Sequence, residues 1–199
     1  MREVTSAQWR VLLAEQHVWM LDAMDVKLYS IALTTMQGVF QMGSDTAGLI
    51  ASATLLASAA GGIAFGVIAA RIGRRRALIA TILIYSFCSA GTATATSLWQ
   101  LMLWRLLLGI GLGGEWSSGA VLVSETWPAE HRGKAIGLMQ SGWALGYIAA
   151  ALLSAFILPR YGWRALFLAG VLPALLTIWI RRAVPESPIW LKGGASEKS

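Results

Sequence analysis

Residues Trp19–Ser30, WMLDAMDVKLYS, set Asp22, Asp25 and Lys27 among apolar neighbours, with Glu15 and His17 one or two turns earlier. How the chain accommodates these ionisable groups decides its fold. On a helix in water they would simply mark a solvated face. The rest of the sequence argues for a different solvent: of 199 residues, 56% are hydrophobic and only 13% charged, with a mean hydropathy of +0.61. A soluble domain carries about 25% charged residues, so roughly half that content points to a chain embedded in lipid.

Charge-free runs mark the membrane spans. There are 25 residues between Asp45 and Arg71, 28 between Arg76 and Arg105, and 25 between Lys134 and Arg160. About 20 apolar residues cross a bilayer as a helix, so each run holds one span. Ala165–Ile180 is shorter, but Arg164 and Arg181 can snorkel from its ends while Trp163 and Trp179 suit the interface. Two further spans carry charge: Val11–Met36, which holds the opening segment, and Trp99–Ser124, which holds Arg105 and Glu115. The expected organisation is a cytoplasmic N-terminus at 1–10 and six helices near 11–36, 46–70, 77–95, 99–124, 134–158 and 164–182. A cytoplasmic tail or the start of a linker follows at 183–199.

Basic residues orient these spans. With the N-terminus in the cytoplasm, Arg2, Arg10, Arg71, Arg74, Arg75, Arg76, Arg132, Lys134, Arg181, Arg182, Lys192 and Lys198 fall inside. Only Arg160 and Arg164 fall outside, and twelve against two is a clear positive-inside bias. Both termini are therefore expected in the cytoplasm of a bacterial-type inner (plasma) membrane. The net charge of +6 is mostly a topology signal, which removes the case for nucleic acid. Cys88 is the only cysteine, so no internal disulfide forms. His17 and His131 lack ligands at metal spacing, so no metal site is expected. Glu15 interrupts the first apolar run and no A-x-A-like site follows, which argues against a cleaved signal.

A charge at mid-bilayer costs about 2.5–3.5 kcal/mol on insertion scales. Several in the first helix must therefore avoid lipid. At 100° per residue, Glu15, Asp22, Asp25 and Tyr29 fall within an arc of about 80°. That stripe fits a bundle interior or a water-filled cavity. Lys27 and His17 lie off it; Lys27 is expected to pair with a neighbouring helix and His17 to sit at the interface. Arg105 and Glu115 are ten residues apart, about 15 Å along the fourth helix, and need not pair with each other. Arg105 is always protonated and requires an acidic partner or an anionic ligand when buried. Asp22, Asp25, Arg105 and Glu115 are thus candidates for proton coupling or substrate binding, the alternative being a structural ion pair. Gly109, Gly111 and Gly114 match the dinucleotide pattern G-x-G-x-x-G, but that pattern needs alternating strands and helices, which this chain does not offer. Close helix packing explains these glycines, as it does Gly61, Gly62, Gly142 and Gly146. No nucleophile–base pair stands at usable spacing, so enzymatic activity is not expected.

Four segments, taken in order, resemble the major facilitator superfamily of transporters. Gly66–Leu78, GVIAARIGRRRAL, is similar to the family's signature loop between helices two and three, G-x-x-x-D-R-x-G-R-R. Arg105–Gly114, RLLLGIGLGG, resembles its Arg-and-glycine motif on helix four. Ser124–Gly137, SETWPAEHRGKAIG, resembles the Glu…Arg-Gly loop before helix five, and Pro185–Leu191, PESPIWL, the segment after helix six. The D-x-x-D of the first helix and Gly113–Trp116, GGEW, look most like the organic-acid proton symporters. Ala70 stands where the signature loop has aspartate, although Arg71, Gly73, Arg74 and Arg75 remain. Helix five lacks the Gly-Pro pair of drug antiporters.

The resemblance implies an all-α membrane protein in which six helices form two inverted three-helix repeats, half of a major facilitator fold. It implies proton-coupled symport of a small organic anion by alternating access, driven by the proton gradient with no cofactor. Asp22 and Asp25 would be protonation candidates, with Arg105 holding the substrate carboxylate or tuning them and Glu115 in a second line. Gly66, Arg71, Gly73, Arg74 and Arg75 would form the cytoplasmic gating loop. The partners implied are the anion, H+, the lipid bilayer, and a C-terminal six-helix half or a second copy. A fragment, a half-size protein that dimerises and a degenerate remnant are the alternatives for the length, and a partial chain is expected. A non-transporting scaffold that binds another transporter's half is the alternative function.

Overall fold

The computed structural model describes residues 4–196; Arg2 and Lys198, counted above among the cytoplasmic charges, lie outside them. The described residues are helical nearly throughout. The elements are α1 (Ser6–Phe40), α2 (Ser44–Ile72), α3 (Arg74–Thr94), α4 (Leu98–Thr126), α5 (Ala129–Leu168), a 3-10 turn (Ala169–Val171), α6 (Leu172–Ala183) and α7 (Pro188–Ser196). α2, α3, α4 and the run from Ala129 to Ala183 are long and apolar enough to cross a membrane. Too many charges keep α1 out of that group, and its place comes from packing instead.

α5 is longer than one crossing because it contains a break. Gly162 takes φ 74° and ψ 178°, a left-handed position open to glycine, and the chain doubles back there. Two contacts fix the reversal. Arg164 Nη2 donates to Ala95 O at one end of α3 (3.1 Å), while Arg75 Nη1 donates to Val184 O at the other (3.2 Å). The sixth crossing is thus Trp163 to Ala183, assembled from the end of α5, the 3-10 turn and α6. The segment expected as tail or linker carries α7, whose Trp190 Nε1 donates to Ala70 O at 2.7 Å.

Beside the packing of α3 on α4, two long seams hold the bundle. α2 packs along α4, and α1 along α5. These pairs exchange when α1–α2–α3 is superposed in thought on α4–α5–α6, as an inverted repeat requires. Glycine lets the backbones touch in both. A Cβ on Gly61 would lie 2.7 Å from Ile110 Cα, and one on Gly146 would lie 2.7 Å from Ala23 Cβ. In lipid, where burial of apolar surface gives no drive between helices, such close approach supplies the attraction.

The helix starts are capped locally. Thr5 and Gln8 form a capping box, with Gln8 Oε1 accepting from Thr5 N at 2.7 Å, and Ser97 caps α4. Gln8 Nε2 also donates to Thr126 O (2.9 Å), and Trp127 Nε1 to Gln8 O (3.2 Å). The start of α1, the end of α4 and the α2–α3 loop therefore share one end of the bundle. Outward-facing surfaces of α2 and α5 are greasy, with Leu55, Leu56 and Ile63 exposed on one and Ile148, Leu152 and Phe156 on the other. The exposed face of α1 differs: Ser30 and Thr34 lie on it beside the half-buried Lys27.

Candidate functional site

The acidic stripe of α1 faces inward. Glu15, Asp22 and Asp25 are all buried, at 1% exposure or less. Asp25 is bound from two elements. Arg105 Nη1 on α4 donates to its Oδ2 at 3.2 Å, and Ser89 Oγ on α3 donates to its Oδ1 at 2.6 Å. Gly170, in the 3-10 turn, packs on Ser89, and a Cβ there would lie 2.6 Å from Ser89 Cβ and 3.5 Å from Asp25 Oδ1. The Arg105 guanidinium lies 4.2 Å from the centre of the Tyr29 ring, one turn above Asp25 on α1. Both members of the pair are nearly sealed, with side-chain exposures of 5% for Arg105 and 0% for Asp25.

Asp22 and Glu115 form a second meeting of α1 with α4, both buried and beside each other. Glu15 lies further along the stripe against Gly119, where a side chain would displace it. Tyr85 Oη donates to Leu21 O at 3.1 Å beside these groups. Glu15 Oε1, Asp22 Oδ2, Glu115 Oε2, Ser86 Oγ and Ser118 Oγ are buried without a protein partner. Four carboxyl groups thus line an interior with one guanidinium. Ionised, they would leave three negative charges without a counter-charge where desolvation is severe. Water, protons or a bound cation must complete such a site. Among the described residues no three His, Cys, Asp or Glu groups converge as metal ligands.

Arg105 and Glu115 do not meet, as their spacing indicated; each pairs with a different aspartate on α1. Lys27 reaches a neighbouring helix through an aromatic ring, its Nζ 5.1 Å from the centre of Tyr147 on α5. His17 is exposed, and its Nδ1 donates to Leu13 O at 2.6 Å. Ser89 escaped the sequence reading because a lone serine in an apolar helix carries no signal.

The loop between α2 and α3 is tied down differently. Gly73 has φ +102° and packs against Glu186 and Trp190. Glu186 Oε1 accepts from Arg75 N at 3.1 Å, placing a carboxylate on the first turn of α3. Arg74 grips Glu125 at the end of α4 through Nε (3.4 Å) and Nη2 (3.3 Å). Arg71 is exposed, and a Cβ on Gly66 would meet nothing within 4 Å. Of the loop residues singled out, Gly73, Arg74 and Arg75 are brought together; Arg71 and Gly66 are not. Glu125 and Glu186 were missed as site residues, since nothing local links them to an arginine loop 50 or more residues away.

The profile of the Major Facilitator Superfamily matches residues 18–198. The chain belongs to the major facilitator superfamily. It is 39% identical over 169 residues to the niacin transporter NiaP of Acinetobacter baylyi, which covers 85% of this chain and 38% of that protein. It is 33% identical over 171 residues to the cis,cis-muconate transport protein of the same organism, covering 86% and 41%. Among solved structures, the proton:xylose symporter XylE superposes with a TM-score of 0.84 at 24% identity, over 94% of this chain and 46% of that one. The chain therefore spans about half the length of the relatives it matches, and its fold is half of a major facilitator fold. This facilitator chain is an integral membrane protein and not an enzyme.

Proposed function

We propose that the chain is one half of a secondary active transporter that carries a small organic anion together with protons by alternating access. The observation behind this reading is the uncompensated column of buried carboxyl groups on α1 and α4, joined to Arg105 through Asp25. A carboxylate clamped by an arginine in a sealed site changes its partner when it takes up a proton. Protonation of Asp25 would release Arg105, and an anion arriving at the site would compete for the same guanidinium. Asp22 and Glu115 would hold a further proton between them. The named relatives carry niacin and cis,cis-muconate, both carboxylates, which supports an organic acid as cargo.

The rest of the pathway would come from a C-terminal six-helix half or a second copy, because major facilitator substrates bind between two such units. The positive-inside bias supports cytoplasmic termini in a bacterial inner membrane. In that orientation the loop around Gly73, Arg74 and Arg75 is the cytoplasmic latch. Its contacts with Glu125 and Glu186 would hold α2, α3 and α4 as one body while the halves rock.

The test is uptake of radiolabelled nicotinate, benzoate or cis,cis-muconate into proteoliposomes containing the chain together with a complementary half, with and without an inward proton gradient. The gradient is expected to accelerate uptake, with Asp25→Asn abolishing the acceleration. Uptake that proceeds unchanged in both Asp25→Asn and Arg105→Gln overturns the proposal.

A further inference from the structure

One cluster plays no part in the acid column. Four aromatic rings run across the middle of the bundle from α4 through α1 to α5. Ring centres are 5.2 Å apart for Trp116 and Trp19, 4.8 Å for Trp19 and Trp143, and 5.9 Å for Trp143 and Tyr147. Lys27 closes the row, its ammonium 5.1 Å from the Tyr147 ring centre. Among the described residues no carboxylate lies within ion-pair distance of Lys27. The row is open to the outside: Trp116 and Tyr147 are each 38% exposed.

Its location is informative. Lys27 is on the same face of α1 as the exposed Ser30 and Thr34, three and seven residues on. A lysine, a serine and a threonine in line are unsuited to lipid, whereas the outward faces of α2 and α5 carry leucine, isoleucine and phenylalanine. Beside Trp116 lies a groove of about 480 Å³, lined by Ser58, Gly62, Gly113, Ser117, Ala120 and Val121. Trp19 Nε1 is a buried donor with no acceptor. Arg105, by contrast, is sealed and already paired with Asp25.

From this placement we infer that Lys27 and the Trp116–Trp19–Trp143–Tyr147 row form a binding platform for a planar aromatic carboxylate, with the acid group on Lys27 and the ring against the tryptophans. The inference rests on the organic-anion reading above. Flat π-systems gain most from tilted and offset aromatic faces, and an ammonium beside them supplies the counter-charge. A saturated ring of the same size meets the same lysine but loses the stacking. A neutral amide keeps the stacking and loses the charge. Lys27 is thus the cation that first receives the anion, outside the sealed Arg105–Asp25 pair, and the anion competes for the guanidinium only in the proton step.

The experiment is equilibrium binding of radiolabelled benzoate to the full chain in lipid nanodiscs, with benzamide and cyclohexanecarboxylate as competitors. Both competitors are expected to bind about tenfold more weakly than benzoate. Lys27→Gln should weaken benzoate about tenfold and leave benzamide unchanged, while Lys27→Arg should stay near wild type. Trp143→Leu should bring benzoate down to the level of cyclohexanecarboxylate. Benzoate binding that ignores both Lys27→Gln and Trp143→Leu overturns the platform and leaves the organic-anion reading standing, as does equal affinity for cyclohexanecarboxylate in the unaltered chain. If Lys27 instead awaits a carboxylate of the second half, Lys27→Gln leaves benzoate binding intact and disrupts pairing with that half, which also overturns it. Failure of every organic acid to bind, labelled muconate included, removes the organic-anion reading and this inference with it.

Discussion

Two arginine–carboxylate pairs use the same chemistry in opposite surroundings. Arg105 and Asp25 meet at 3.2 Å with side chains 5% and 0% exposed; Arg74 and Glu125 meet at 3.3 Å with 19% and 15%. At the end of the bundle a second tie, Glu186 on Arg75 N, shares the work of holding the loop. In the interior both side chains of the pair are nearly sealed, and each charge depends on its partner. A pair with outside help is a fastener, while one without it is poised, since only a proton or another ion can replace what is taken away.

The sharpest way to break this contrast is Arg105→Gln. It strands Asp25 as well as removing a charge, so a loss of about 3–5 kcal/mol is expected, read as a fall in melting temperature in detergent. The double variant Arg105→Gln with Asp25→Asn should recover most of that stability without recovering uptake. A full loss of stability in the double variant would mean that the pair is held by shape rather than charge.

Ser89→Ala comes next. It deletes a hydrogen bond to a charged acceptor and should cost about 1.5–3 kcal/mol, with a change in the proton dependence of uptake that a purely structural serine would not give. At the seam, Gly61→Val presses a side chain onto the α4 backbone and should cost about 1–3 kcal/mol, whereas Gly66→Ala, which meets open space, should be close to neutral. For the latch, a double-mutant cycle on Arg74→Ala and Glu125→Ala is expected to give a coupling of about 1 kcal/mol or less. Couplings of equal size in the two pairs would erase the distinction between fastener and poised pair. The smallest effect belongs to Arg71→Ala, within about 0.5 kcal/mol, because Arg71 is exposed and touches none of these groups.

Much of the acid column is legible in the order of residues alone, because a helix maps residue number onto angle. Glu15, Asp22, Asp25 and Tyr29 share an arc in any helix that contains them. Lys27 is equally legible as lying off that arc, but not as part of an aromatic row, since its neighbour Tyr147 sits 120 residues away. The first crossing shows the limit of hydropathy: α1 fails an apolar-length test that four other segments pass, and it is held in the bundle by its buried stripe. The fifth and sixth crossings show another limit. The charges at Arg160 and Arg164 set the two spans apart in the sequence, but the reversal between them depends on one backbone angle at Gly162.

What the sequence determined by itself is whatever depends on neighbours along the chain: apolar runs as long as a bilayer, basic loops biased to one side, and acids on one face of a helix. Tertiary structure decided which groups meet: Arg105 with Asp25 rather than Glu115, Ser89 as the second partner of Asp25, Glu186 on the start of α3, and four aromatic rings in a row that ends at Lys27. Those pairings depend on how each helix is rotated and shifted against the next. That is set where backbones touch at glycines on two different helices, a property no single stretch of residues contains.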